Sequence, residues 1–173
     1  PGTIAALPVQ SEILGGSGQL ESTVSDEAVL AAARKRGIIA ASGPGASMAA
    51  LLRTARHGDQ PVAVSARDLL GDRARVLGEA VALLRDMLNP DELVVGGHAF
   101  TEYPEALEQV EAAFAARSIL PPRDIRVTVF GNRVQEAGAG TVSLGGLYAD
   151  PLGAMRRAGV IGPREFEADE SSA

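Results

Sequence analysis

The sequence predicts an α/β fold, helix-rich around a short mixed or parallel sheet, and three observations predict it. Two short apolar segments, 92–95 and 125–130, are separated by a helical stretch, and another helical stretch follows the second. That order, strand–helix–strand–helix, implies a crossover connection and parallel pairing. Neither segment alternates strictly between apolar and polar residues, as expected of strands covered on both faces. Upstream, Leu77, Val81, Leu84 and Leu88 recur at helical spacing, with Ala80 and Met87 beside them, which gives one long helix a wide apolar stripe.

The elements follow in order. Residues 1–24 read as an extended or looped lead-in, ending in the glycine cluster Gly15, Gly16, Gly18. A helix opens at Ser25, an N-cap residue type, with Asp26 and Glu27 in its first turn and Arg34, Lys35 and Arg36 before Gly37. Charges at both ends complement the helix dipole. Ser42-Gly43-Pro44-Gly45 makes a turn, and a second helix runs through Met48, Leu51, Leu52 and Ala55 to His57-Gly58. A short helix at 65–70 precedes the long one at 72–88, which Asn89-Pro90 ends. After the first strand and Gly96-Gly97 comes a helix at 104–117 with Leu107, Val110 and Phe114 on one face. A final helix is expected over about 137–148. The segment 151–173 reads as an extension whose end, with Glu165, Glu167, Asp169 and Glu170, is an acidic, disordered tail.

Composition narrows the function. The 173 residues are 46% hydrophobic and 22% charged, a globular balance that excludes wholesale disorder. No apolar run reaches membrane-span length, and no basic segment precedes a short apolar one, so neither a span nor a signal peptide is expected. With no cysteine there are no disulfides, thiolate metal sites or cysteine nucleophiles. A net charge of −6 argues against gripping nucleic-acid phosphates unaided. A cytoplasmic protein is expected. The chain opens at Pro1 without an initiator methionine, which reads as a piece of something longer.

The stretch Asn89-Pro90-Asp91-Glu92-Leu93-Val94-Val95-Gly96-Gly97 after a long alanine-rich helix resembles the ROK family, which groups bacterial repressors with sugar kinases on the actin-like fold. Gly15-Gly16-Ser17-Gly18-Gln19-Leu20-Glu21 looks like the family segment Cys-x-Cys-Gly-x-x-Gly-Cys-Leu-Glu, and 125–148 looks like the final strand and helix of the lobe. The resemblance implies that residues 1–150 are the C-terminal lobe of an actin-like ROK domain. Carried over residue by residue, the family's zinc-binding cysteines fall at Glu12, Leu14 and Gln19 and its zinc-binding histidine at Ala6. Those residues do not make a tetrahedral nitrogen and sulfur site, so no metal is expected. Of the family's sugar contacts Glu21 survives, while Thr3 and Ala6 stand where a glutamate and a histidine belong. At the nucleotide side Gly96 and Gly97 remain, but His98 replaces the third small residue.

Each of these residues also has a plainer reading. Glu21 suits a solvated carboxylate near a helix start, and Gly96-Gly97 a tight strand-to-helix turn. His98 has no neighbouring nucleophile in sequence and His57 sits at a helix C-terminus, where it caps. Gly138-Ala139-Gly140 lacks the lysine and hydroxyl of a P-loop. No catalytic residue and no cofactor are expected. The reading that results is a non-catalytic lobe of a ROK-type transcriptional regulator that senses a sugar-like effector and forms a homodimer. DNA would be read by an N-terminal winged helix-turn-helix that this sequence does not contain. A fragment of a ROK-type ATP-dependent sugar kinase is the alternative. The apolar, uncharged stretch 37–52, with Ile38, Ile39, Met48, Leu51 and Leu52, is expected to supply the dimer surface.

Overall fold

The computed structural model describes residues 4–121 and 123–159. Two compact units divide it, one up to Gly131 and one from Asn132 onward. The first unit is built around α4 (Pro61–Leu88), a helix of 28 residues. Pro61 occupies its first turn, where a missing N–H costs nothing, and Asn89 stops it in the left-handed conformation at φ 43°. The break expected between 70 and 72 does not occur. Gly71 stays helical, with the Gln109 side chain of a neighbouring helix over it, so tertiary packing overrides its poor intrinsic propensity.

Three sets of residues close on α4. Helix α2 (Asp26–Lys35) is capped as the sequence predicts, Ser25 accepting from the Ala28 N–H at 3.3 Å, and in α3 (Met48–Arg56) Ser47 accepts from the Ala50 N–H at the same distance. Their Val29, Ala33, Leu51, Leu52 and Ala55 pack with Ala66, Leu69 and Leu70 of α4. A short helix the sequence does not announce, α1 (Leu20–Val24), lays Leu20 and Val24 against Val76 and Ala80. The third set is the α/β part. Strand β1 (Leu93–Val95) pairs in parallel with β2 (Ile125–Val127), Leu93 opposite Ile125 and Val95 opposite Val127. Between them run the one-turn helix α5 (His98–Thr101) and α6 (Leu107–Arg117), whose Val110 and Phe114 pack with Ala74, Ala82 and Ile125. The pairing is the one expected, and the strands are shorter.

One expectation fails outright. Ile38, Ile39, Leu51 and Leu52 are all in the core, and Met48 is packed against it. The large apolar residues of the run 37–52 fill the space between α2, α3 and α4, while the exposed 40–45 between them carry none, so the expected apolar patch is not free for a second copy. A three-helix core built from so few aromatic residues takes Ile38, Ile39, Leu51 and Leu52 for its own interior.

The second unit contains α7 (Val134–Ala149) and α8 (Pro151–Arg157). Within it Asp150 accepts from the Gly153 N–H at 2.9 Å and pairs with Arg157 at 3.5 Å. The acidic segment around Glu165–Glu170 lies outside the described residues, as do Gly2 and Thr3.

Candidate functional site

The turn after β1 is the best-formed feature at the carboxyl end of the sheet. Gly97 has φ 94°, a conformation that side-chain-bearing residues avoid, and a Cβ there would meet no neighbour. Glycine is therefore required by the backbone angle and not by crowding. The Gly97 carbonyl accepts from the Phe100 and Thr101 N–H groups at 3.1 and 3.2 Å and from the Thr101 hydroxyl at 3.0 Å. Beside it, the Thr128 N–H donates to the Val95 carbonyl at 2.8 Å, which carries the pairing past the last strand residue.

His98, the next residue, lies between two carboxylates. Its Nδ1 lies 3.3 Å from Asp26 Oδ2 and its Nε2 3.8 Å from Glu102. The other Asp26 oxygen accepts from Arg73 Nη2 at 2.5 Å, and Arg73 Nε donates to the Val24 carbonyl at 2.9 Å. Arg73 is buried while Asp26 and His98 are partly exposed. A buried guanidinium needs such partners, since an unpaired charge inside a protein is costly. The chain of contacts Arg73–Asp26–His98 thus ties α4, the first turn of α2 and the Gly96-Gly97 turn together.

A cleft of about 360 Å³ opens at this point, lined by Val24, Asp26, Arg73, Leu77, Gly96, Gly97, His98, Ala99 and Phe100. No hydroxyl, thiol or amine nucleophile is among them. The one carboxylate, Asp26, is committed to Arg73 on one oxygen and His98 on the other. This arrangement orders a turn and presents a histidine edge to solvent; it contains no activated base beside a nucleophile.

Glu21 stands apart from that cleft. It is exposed in the first turn of α1, and its backbone carbonyl accepts from the Ser25 N–H at 3.1 Å. Val24 of the same helix lines the cleft, but Glu21 does not. At the positions where the resemblance places zinc ligands, Leu14 is buried in the core and Gln19 forms an isolated antiparallel bridge with Pro8. Glu12 and Ala6 are exposed. His57 caps α3 as expected, its Nδ1 2.7 Å from the Arg53 carbonyl.

Two members of the cluster escape sequence reasoning. Asp26 reads as a dipole residue in a first turn, and nothing local shows that it meets a histidine 72 positions later. Arg73 does leave a signal: it stands four residues before Leu77, on the line of the apolar stripe. A cation in that line has to be paired inside.

The fold is similar to half of a solved sugar kinase. The solved structure of a ROK family glucokinase from Streptomyces griseus, in complex with glucose and AMPPNP, matches 80% of this chain and 50% of its own, with a TM-score of 0.64 and 23% identity. At that identity the likeness concerns the fold alone. Sequence relatives are closer. Proteins named transcriptional regulators, Rv0485 and MT0503 of Mycobacterium tuberculosis and Mb0495 of Mycobacterium bovis, are each 69% identical over 171 residues, 95% of this chain. The chain spans 38% of the length of these relatives. No family model matches the sequence. Among the described residues, no helix is long and apolar enough to cross a membrane.

Proposed function

We propose that this chain is the effector-sensing and dimerisation lobe of a ROK-type transcriptional regulator, and that it has no catalytic role. The observation that carries this reading is the 69% identity to mycobacterial proteins named transcriptional regulators. In this reading residues 1–150 form the C-terminal lobe and 151–173 an extension beyond it. A winged helix-turn-helix elsewhere in the longer protein reads DNA, which fits a lobe of net charge −6. The protein works in the cytoplasm, where its DNA is. The effector is a sugar or sugar derivative reached by Glu21, whose two carboxylate oxygens suit neighbouring hydroxyls. The lobe alters DNA binding by changing the spacing or orientation of two heads in a homodimer.

The kinase alternative has one observation in its favour, the fold shared with a glucokinase. Against it stand Thr3 and Ala6 at two sugar-contact positions and His98 at the third position of the glycine turn. Phosphoryl transfer depends on positioning, and each change removes a positioning group or crowds one.

The test is a DNA-binding assay on the full-length protein, with a panel of hexoses and N-acetylhexosamines as effectors. One of them is expected to change operator affinity at least fivefold, a coupling of about 1 kcal/mol, and Glu21→Gln is expected to abolish the response. Failure of every sugar to change DNA binding would remove the effector reading. Monomeric behaviour in sedimentation at tens of micromolar would remove the dimer.

A further inference from the structure

The segment between Pro8 and α1 has almost no regular structure, yet it carries a core residue. Its base is closed by the Val9 N–H to the Gly18 carbonyl at 2.9 Å and the Leu20 N–H to the Leu7 carbonyl at 2.8 Å. Between those bonds, Gly15, Gly16 and Gly18 all have positive φ, so the chain there makes no ladder and no helix. Leu14 nevertheless reaches the core formed by α2, α3 and α4. Something outside the loop has to hold it.

Its two halves are held by different helices. Residues 10–14 rest mainly on α4, with one further bond from Arg36 Nη2, at the end of α2, to the Ile13 carbonyl at 3.2 Å. The Ser11 hydroxyl donates to Asp72 Oδ2 and accepts from the Leu14 N–H at 2.7 Å. Arg75 donates to Asp72 Oδ1 from Nε and Nη2, at 3.0 and 2.6 Å, and its Nη2 reaches the Gln10 carbonyl at 3.0 Å. Residues 16–18 rest on α1. A Cβ at Gly16 would come within 2.7 Å of the Ser22 carbonyl and 2.8 Å of the Thr23 hydroxyl, and the Ser17 and Ser22 hydroxyls are 2.7 Å apart. Asp72 is buried, and both of its oxygens are used in this arrangement.

We propose that residues 10–18 form a strap between α4 and α1, latched by the buried Asp72 carboxylate through Ser11, and that the strap opens as a unit while the helical core stays folded. The energetic reasoning is local. Leu14 is the loop's one buried side chain and Ile13 packs partly against the same core, so the closed state rests on these two apolar contacts and a few polar bonds, and regions with so few contacts open well below the global unfolding free energy. Bonds to a carboxylate are among the stronger polar contacts, which makes Asp72 the element that sets the opening equilibrium. Because the strap touches Ser22 and Thr23, its opening also removes contacts from the helix that carries Glu21. The proposal does not require that Glu21 bind any ligand.

Hydrogen exchange on the full-length protein, read by mass spectrometry on peptides covering 8–20 and 62–80, tests it. In Ser11→Ala and in Asp72→Asn, exchange in 8–20 is expected to rise at least tenfold while 62–80 keeps its wild-type rate. Unchanged exchange in 8–20 would overturn the latch. Equal acceleration of both peptides would overturn the independent strap, since Asp72 would then serve only global stability. Ser11→Ala alters only the loop partner, so it decides the matter even where Asp72→Asn does not fold.

Discussion

The two halves of α4 are buried by different means, and the contrast shows where this fold tolerates change. Its N-terminal half fills space with side chains: Leu69 and Leu70 interlock with Val29, Leu51 and Leu52. Its C-terminal half comes close to α6 with backbone. A Cβ at Gly78 would run into the Val110 carbonyl and stand 2.9 Å from the Ala113 Cβ. Side-chain packing relaxes partly when a group is lost, whereas a backbone contact yields only if a helix moves.

Three experiments press on that contrast. Leu69→Ala, at a fully buried position, is expected to lower stability by about 3 kcal/mol in urea unfolding, the transfer and cavity terms together. Gly78→Ala is expected to cost about 2 kcal/mol net, although alanine is the better helix former by about 1 kcal/mol. Gly71→Ala is the control. The atom nearest its Cβ position is the free end of the Gln109 side chain, at 2.8 Å, which can swing away. That variant is expected to be neutral or to gain up to about 1 kcal/mol. Equal losses at Gly71 and Gly78 would erase the distinction between the halves.

Asp72 lies between the halves and gives the smallest of the expected effects. Burial alone would raise its carboxyl pKa, but the Ser11 hydroxyl and the Arg75 guanidinium outweigh it and hold the group below the ordinary carboxylate range. A depressed folded-state pKa means that the stabilisation is complete above the unfolded value, about pH 4, and is lost as pH falls through the folded one. Wild-type urea midpoints are therefore expected to drop more steeply below about pH 4 than those of Asp72→Asn. Parallel pH profiles would show that the carboxylate contributes nothing.

Local signals in the sequence carried much of the first unit. Ser25 caps α2 because its side chain satisfies an orphan N–H group a few residues away, and Asn89-Pro90 stops α4 by backbone rules alone. What escaped depends on partners distant in sequence. Gly71 looked like a helix end because propensity was the only information available, whereas its neighbour Gln109 is 38 residues on. The run 37–52 looked like an interface because apolarity does not say which surface receives it, and the core of α2, α3 and α4 receives it. At the candidate site, Gly96-Gly97 was legible as a tight turn, in which Gly97 takes the positive φ. The Asp26–His98 contact joins the start of α2 to the start of α5 and has no local signature. The Asp72 strap was hidden for the same reason, since Ser11 and Asp72 are 61 residues apart.

The central proposal is a lobe with the fold of a sugar kinase and without its chemistry. The most direct measurement is a coupled turnover assay on the full-length protein, with ATP and a panel of hexoses and N-acetylhexosamines. The expected result is no turnover above background for any sugar. Sustained phosphorylation of one sugar, lost in Glu21→Gln, would contradict the proposal.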